Sequence, residues 1–362
     1  MYLRLELVEK ILALVRITYA GFGPTFAAEK LLELNKIKIS DETLRALMTK
    51  NNLWKPRLRK KNKEHREWRP RKENYGAMEQ YDGCYHLWFE ERAGECCLLL
   101  SVDDATGKIT KAKFDRHEGV LPTFAFWKAY LEENGKPASI YLDKFSTYKV
   151  NHPAAQDNKD MITQIQRACQ DLGINLITAH SPEAKGRVER MFATLQDRLV
   201  KELRLQNISD MATANKFLED KFIPNFNKKF AVAPEKFADL HRPLTKIDIA
   251  TMASIFSVHS ERVVMNDFTV QFKNHYFQLS QQQPATVLRK DTILIEEHLD
   301  GSTVLKLRGK KLSYTILPKR PEKEFTLKIP ALTTSTPTYK PPANHPWRKQ
   351  FLTNKFNLQI TR

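Results

Sequence analysis

The sequence predicts a multidomain α/β protein with an all-helical start, a mixed-sheet centre and a small all-β unit near its C-terminus. Three observations carry that expectation. Apolar residues recur at helical spacing up to Lys50, strand-like apolar runs alternate with helical stripes between Met78 and Leu205, and short strands broken by turn residues follow Ala253. The boundaries expected are 1–54 for the helical module, 55–76 for a linker, 77–206 for the central domain, 207–252 for a helical connector, 253–318 for a small SH3-like β-barrel and 319–362 for an extended tail.

The first helix follows from Leu5, Val8, Ile11, Leu12 and Val15. Gly21-Phe22-Gly23-Pro24 interrupts it, and Pro24 suits the first position of a second helix through Ala27, Ala28, Leu31 and Leu32. After the connector Asn35 to Ile39, Ser40 caps a third helix running from Asp41 to about Lys50. Helix, helix, short turn, helix is the outline of a helix-turn-helix DNA reader. A small three-helix bundle without that role has the same pattern, so the neighbouring sequence has to decide.

Lys55 to Lys72 is heavily basic, carries Pro56 and Pro70, and has almost no apolar residues besides Leu58 and Trp68. Such a run cannot build a core and reads as an extended linker tracking phosphates, with Lys60, Lys61, Arg66 and Arg69 as contacts. Trp68 either stacks on a base or docks on the next domain. A formal net charge of +17 over 362 residues points the same way, to a polyanionic partner. No run approaches a membrane span and the start lacks a signal peptide's apolar region, so a cytoplasmic protein without a membrane partner is expected. Cys84, Cys96, Cys97 and Cys169 lack metal-ligand spacing and are read as reduced and mostly buried.

In the centre, Tyr81 to Phe89, Glu95 to Asp103 and Lys108 to Phe114 read as a strand meander. A helix at Pro122 to Glu132, a strand at Ala138 to Leu142, a helix ending near Leu172 and a strand at Ile174 to Thr178 follow. The long helix from Pro182 carries the stripe Val188, Phe192, Leu195, Leu199 and Leu203. A meander followed by alternating helices and strands implies a mixed sheet flanked by helices. Asn207 to Asp239 is expected to be helical.

Asp82 and Asp143 lie at or near the ends of strand-like runs, and Glu189 lies early in the long helix. If the strands are neighbours and the helix crosses their edge, three carboxylates converge as hard oxygen ligands for two Mg²⁺ (or Mn²⁺) ions. Asp82 would bridge the ions, Asp143 complete one and Glu189 the other. Singly, each is a common turn, cap or surface residue; together, on elements in this order, they read as a phosphoryl-transfer site. Asp103 and Asp104 end a strand and open a turn, which suits hairpin chemistry. Lys185, Arg187 and Arg190 flank Glu189 and would meet phosphates, although Arg187 has the alternative of offsetting nearby acidic charge. His86 is read as structural.

These stretches resemble a known group. Gln80-Tyr81-Asp82-Gly83 with Trp88-Phe89, Asp103-Asp104-Ala105-Thr106-Gly107, Tyr141-Leu142-Asp143 and above all Ser181 to Arg190 resemble bacterial insertion-sequence transposases of the DDE integrase superfamily, nearest to the ISNCY family. The resemblance runs from the Gly23-Pro24 region to His345-Pro346-Trp347 and implies an RNase H-like catalytic core. It also implies Asp82, Asp143 and Glu189 as the acidic triad. The substrates implied are the double-stranded DNA of the element's ends and of a target, handled by a homo-oligomer in the bacterial nucleoid. Two departures stand out. Tyr148 to Asp160 looks like an insertion relative to integrases, and the N-terminus is short, as in a truncated member. The competing reading is an inactive or truncated transposase that only binds DNA in a sequence-specific way; a nuclease of the same fold would not need the flanking modules.

Overall fold

The structure, a computed structural model, describes residues 4–56, 70–143, 158–179, 186–318 and 342–346. The contacts expected of Lys60, Lys61, Arg66, Arg69 and Lys185, the alternatives for Trp68, most of the expected insertion and nearly all of the tail lie outside the described residues.

Three helices, α1 (Leu5–Ile17), α2 (Pro24–Asn35) and α3 (Asp41–Lys50), pack around Ile11, Val15, Tyr19, Phe22, Phe26, Leu31, Leu44 and Met48. Pro24 occupies the first turn of α2, where its missing N–H costs nothing. The Ser40 hydroxyl accepts the Thr43 N–H at 3.1 Å and caps α3. Leu205, far along the chain, packs on this core, so the bundle is docked on the central domain.

The central sheet has five strands: β1 (Glu79–His86), β2 (Cys96–Asp103), β3 (Ile109–Asp115), β4 (Ser139–Asp143) and β5 (Asn175–Ala179), in the order β3-β2-β1-β4-β5. The first three form the expected antiparallel meander, while β4 runs parallel to β1 and β5 parallel to β4. Every residue of β2 is buried, because helices cover both faces. On one face α4 (Val120–Asn134) and α5 (Asn158–Asp171) pack on Tyr81, Leu99, Ile140 and Leu142. On the other, α6 (Gly186–Leu205) lays Val188, Phe192, Leu195, Leu199 and Leu203 against Leu98, Leu100 and Phe114. The predicted stripe is therefore the buried face of α6.

Two expectations are corrected. The helix expected from Asn207 to Asp239 stops at Phe230, after α7 (Met211–Phe217), a π-helical turn (Leu218–Phe222) and α8 (Ile223–Phe230). Pro234 follows closely and biases Ala233 away from helical geometry. The next stretch instead lies along the start of the central domain, with Lys236 N–H on the Glu73 carbonyl and Leu240 N–H on the Tyr75 carbonyl, both at 2.9 Å. A further helix, α9 (Lys246–Ile255), then forms behind a capping box of Thr245 and Asp248.

The second correction concerns the barrel. Strands β6 (Val258–Val263), β7 (Thr269–Phe272), β8 (His275–Leu279), β9 (Thr292–Glu297), β10 (Thr303–Leu307), β11 (Lys310–Lys311) and β12 (Tyr314–Leu317) make two sheets, ordered β11-β10-β9-β6 and β12-β8-β7. They share a core of Val264, Val270, Phe272, Phe277, Ile293, Ile295 and Leu305. No ladder joins the two sheets among the described residues, so the barrel does not close. The irregular connection between β8 and β9, which contains Pro284, supplies no strand to bridge them. Among the described residues no helix is long and apolar enough to cross a membrane.

Candidate active site

The site is built on the parallel pair at the sheet's centre. Glu79 of β1 pairs with Ile140 of β4, and Gln80 with Tyr141. The pairing ends there, and Asp82 and Asp143 each lie two residues further along these neighbouring parallel strands, in equivalent positions of the same register. Alternation puts Asp82 on the same face of β1 as Gln80 and Cys84, which is the face α6 covers. Asp82 is 8% exposed, enough to open to the surface while most of its surroundings are protein.

Helix α6 is pinned at its first turn. The Val188 N–H donates to the Gln80 side-chain oxygen at 3.3 Å, and Val188 itself is fully buried. Glu189, the next residue, is exposed on that turn. Its neighbourhood is thus set by a contact to the strand that carries Asp82. Among the described residues no three carboxylate, imidazole or thiol groups stand close enough to hold a metal ion, and the side chain of Asp143 lies outside the description. The three side chains expected as ligands, Asp82, Asp143 and Glu189, are carboxylates, and oxygen donors of that kind suit Mg²⁺ or Mn²⁺ over softer ions.

The neighbouring acidic turn is tightly bonded. Asp103 accepts the Thr106 N–H at 2.7 Å and hydroxyl at 2.6 Å, plus the Gly76 N–H at 3.1 Å, and burial pushes its pKa up. Asp104 accepts from the Gln80 amide at 2.6 Å, the Arg187 guanidinium at 2.7 Å and the Lys72 N–H at 2.8 Å. Arg187 therefore makes the charge-offsetting contact that was the alternative to phosphate binding. Arg190 is exposed on the same helical turn as Glu189. The His86 ring stands edge-on to Trp88, at 5.3 Å between centroids. Cys96, Cys97 and Cys169 are buried free thiols and Cys84 is half-buried.

One carboxylate was missed in the sequence. Glu118 is buried and its N–H donates to the Tyr85 hydroxyl at 2.9 Å. Its carboxylate lies against the backbone of Gly83, where a Cβ would come within 2.7 Å of Glu118 Oε2. Gly83 faces the α4 side of the sheet, opposite Asp82, so Glu118 backs the site from behind. A glycine inside a strand, directly after Asp82, was the available signal.

No family model matches this chain. Relatives are nevertheless clear. The chain is 38% identical over 308 residues to the transposase y4bF of Sinorhizobium fredii (strain NBRC 101917 / NGR234), covering 85% of this chain and 66% of that protein. It is 29% identical over 396 aligned positions to the transposase for insertion sequence IS1202 of Streptococcus pneumoniae, covering 96% of this chain and 82% of that one. This chain thus spans just under two thirds of the first relative's length. Among solved structures it is similar to the HTLV-2 integrase catalytic core domain in complex with magnesium, at 19% identity and a TM-score of 0.33, over 47% of this chain and 98% of that one. The simian T-cell lymphotropic virus intasome in complex with PP2A regulatory subunit B56 gamma is similar at 16% identity and a TM-score of 0.37, over 80% of this chain and 99% of the other.

Proposed function

From the chain's membership of the insertion-sequence transposases of the DDE integrase superfamily, we propose that it is a metal-dependent DNA transposase with Asp82, Asp143 and Glu189 as its acidic triad. It hydrolyses the element's ends to free 3′-hydroxyls and joins these to target DNA. What supports the reading is that Asp82 and Asp143 each lie two residues beyond the last β1–β4 pair, Gln80–Tyr141, while Gln80 accepts the Val188 N–H beside Glu189 on α6.

Two Mg²⁺ (or Mn²⁺) ions held by these carboxylates would supply an activated oxygen nucleophile and offset charge on the leaving oxygen. The chain's own residues do the rest. Asp82 and Asp143 sit on neighbouring parallel strands of the central sheet, and Glu189 approaches from the first turn of α6. Arg190 and Lys185 meet the phosphates flanking the scissile bond, with Arg187 held back by Asp104. The three-helix module reads the terminal repeats through α3, and Lys60, Lys61, Arg66 and Arg69 follow the backbone between the two. Bringing two ends together calls for at least a dimer working on nucleoid DNA.

The test is strand cleavage of an oligonucleotide carrying the element's own terminal repeat, with Mg²⁺ or Mn²⁺, comparing wild type with Glu189→Gln. Metal-dependent nicking that vanishes in the variant supports the triad. Binding of the end by both proteins with cleavage by neither hands the case to a DNA-binding protein without catalysis.

A further inference from the structure

We propose that Asp104 is a positioning residue that ties the end of the basic linker to the helix carrying Glu189. The inference rests on the triad reading above. Asp104 is completely buried, and three separate segments donate to its carboxylate. Its Oδ2 takes the backbone N–H of Lys72, where the basic run ends, at 2.8 Å. Its Oδ1 takes the Gln80 side-chain amide from β1 at 2.6 Å and the Arg187 guanidinium from α6 at 2.7 Å. Gln80 then passes the contact on, since its oxygen accepts the Val188 N–H at 3.3 Å.

The arrangement is closed on itself. The Gln80 amide must point its nitrogen at Asp104 and its oxygen at α6, because a carboxylate can only accept and a helix N–H can only donate. Arg187 and Val188 are consecutive and both are gripped, so the first turn of α6 has little freedom to rotate or slide over β1. Glu189 is the following residue, and Asp82 is two residues beyond Gln80. The Asp104 network therefore holds the strand and the helical turn that bear these two carboxylates, in addition to the apolar stripe that packs α6 on the sheet. Arg71 adds a second hold at the linker's end by donating to the Ala105 carbonyl at 3.0 Å.

Asparagine cannot replace Asp104. One of its terminal atoms becomes a donor facing donors, and the half-buried Arg187 guanidinium loses this charged acceptor. The expected result for Asp104→Asn is a rise of about 10-fold or more in the metal concentration that half-saturates nicking, as for groups that orient metal ligands. Direct Mn²⁺ binding to the full-length protein, followed by electron paramagnetic resonance without DNA, should weaken in parallel. Asp103→Asn is the control: it is equally buried in the same turn but holds Thr106 and Gly76, so it should lower the melting temperature and leave the metal requirement unchanged. If Asp104→Asn does not fold, Arg187→Lys, which keeps the charge but loses the planar fork, should show the same shift in smaller measure.

Equal metal requirements for wild type, Asp104→Asn and Arg187→Lys would overturn the proposal. So would a shift of the same size in Asp103→Asn, because the role would then be merely structural. Should wild type show no metal-dependent nicking at all, the triad reading fails first, and hydrogen exchange at the Val188 amide still decides the network. Faster exchange in Asp104→Asn than in Asp103→Asn upholds it, and equal exchange sinks it.

Discussion

Arg198 of α6 and Glu29 of α2 form a two-pronged ion pair, with nitrogen–oxygen distances of 2.6 and 3.1 Å. Lys229 of α8 reaches the same carboxylate at 2.5 Å, and the Arg198 guanidinium lies over the rings of Phe26 and Phe230 at 4.7 and 4.8 Å. Lys30 pairs with Glu202 alongside. The N-terminal bundle is thereby clamped to the helix that begins at the candidate active site.

Removing Arg198 should loosen that clamp. Burial works to raise the Glu29 pKa, but the hydrogen bonds from Arg198 and Lys229 outweigh it and hold the carboxyl below its ordinary value. The clamp's contribution is therefore present above the ordinary Glu range and is lost as pH falls through the lowered value. Arg198→Ala should cost about 1–3 kcal/mol at neutral pH, as for hydrogen bonds to charged groups. A double-mutant cycle with Glu29→Ala, read by thermal unfolding, should show clear coupling; strictly additive losses would mean that the contact holds nothing.

Glu79 should make the protein less stable as the solution turns alkaline. Its carboxyl is fully buried and, with Asp103 nearby, is pushed up to about 8, although Ser101 and Thr110 donate hydroxyls to it. The folded state keeps the proton longer than the unfolded chain, so stability falls as pH rises from the ordinary Glu value towards 8 and levels off beyond. Glu79→Gln keeps an oxygen for both hydroxyls and should flatten that decline, with a gain of up to a few kcal/mol near pH 8 on the basis of roughly 1.4 kcal/mol per pKa unit. Melting temperatures of the two proteins across that range check the sign.

Neutralising the basic linker should change how DNA binding responds to salt. With Lys60, Lys61, Arg66 and Arg69 replaced by Gln, the slope of log affinity against log salt should shrink by up to about 0.9 per lost phosphate contact. Random-sequence and terminal-repeat duplexes should lose affinity to a similar degree. An unaltered slope would leave these four residues as solvated charge.

Thr245→Ala removes the capping box of α9 and should cost about 1 kcal/mol, while Thr245→Ser should cost little. Chemical denaturation of the three proteins compares them directly.

Much of the fold was legible because it is written over short distances. Pro24 starts α2, Ser40 caps α3, and the α6 stripe faces the core because period and capping act within one or two turns. The same short range explains the errors. Helical propensity carried the expected connector past Phe230, although Pro234 was there to argue for a stop. Closure of a barrel depends on whether distant strand edges meet, which no local pattern records.

By itself, then, the sequence determined the strand order's raw material, the aspartates within β1 and at the end of β4, and the basic run that precedes them. The tertiary structure alone decided what those charges do. Arg187 is separated from Asp104 by 83 residues and Gln80 by 24, yet the three meet in one buried network. A buried carboxylate takes whichever donors the packed sheet and helix deliver to it, because leaving it without them is too costly. That choice is made only when β1, α6 and the linker's end come together.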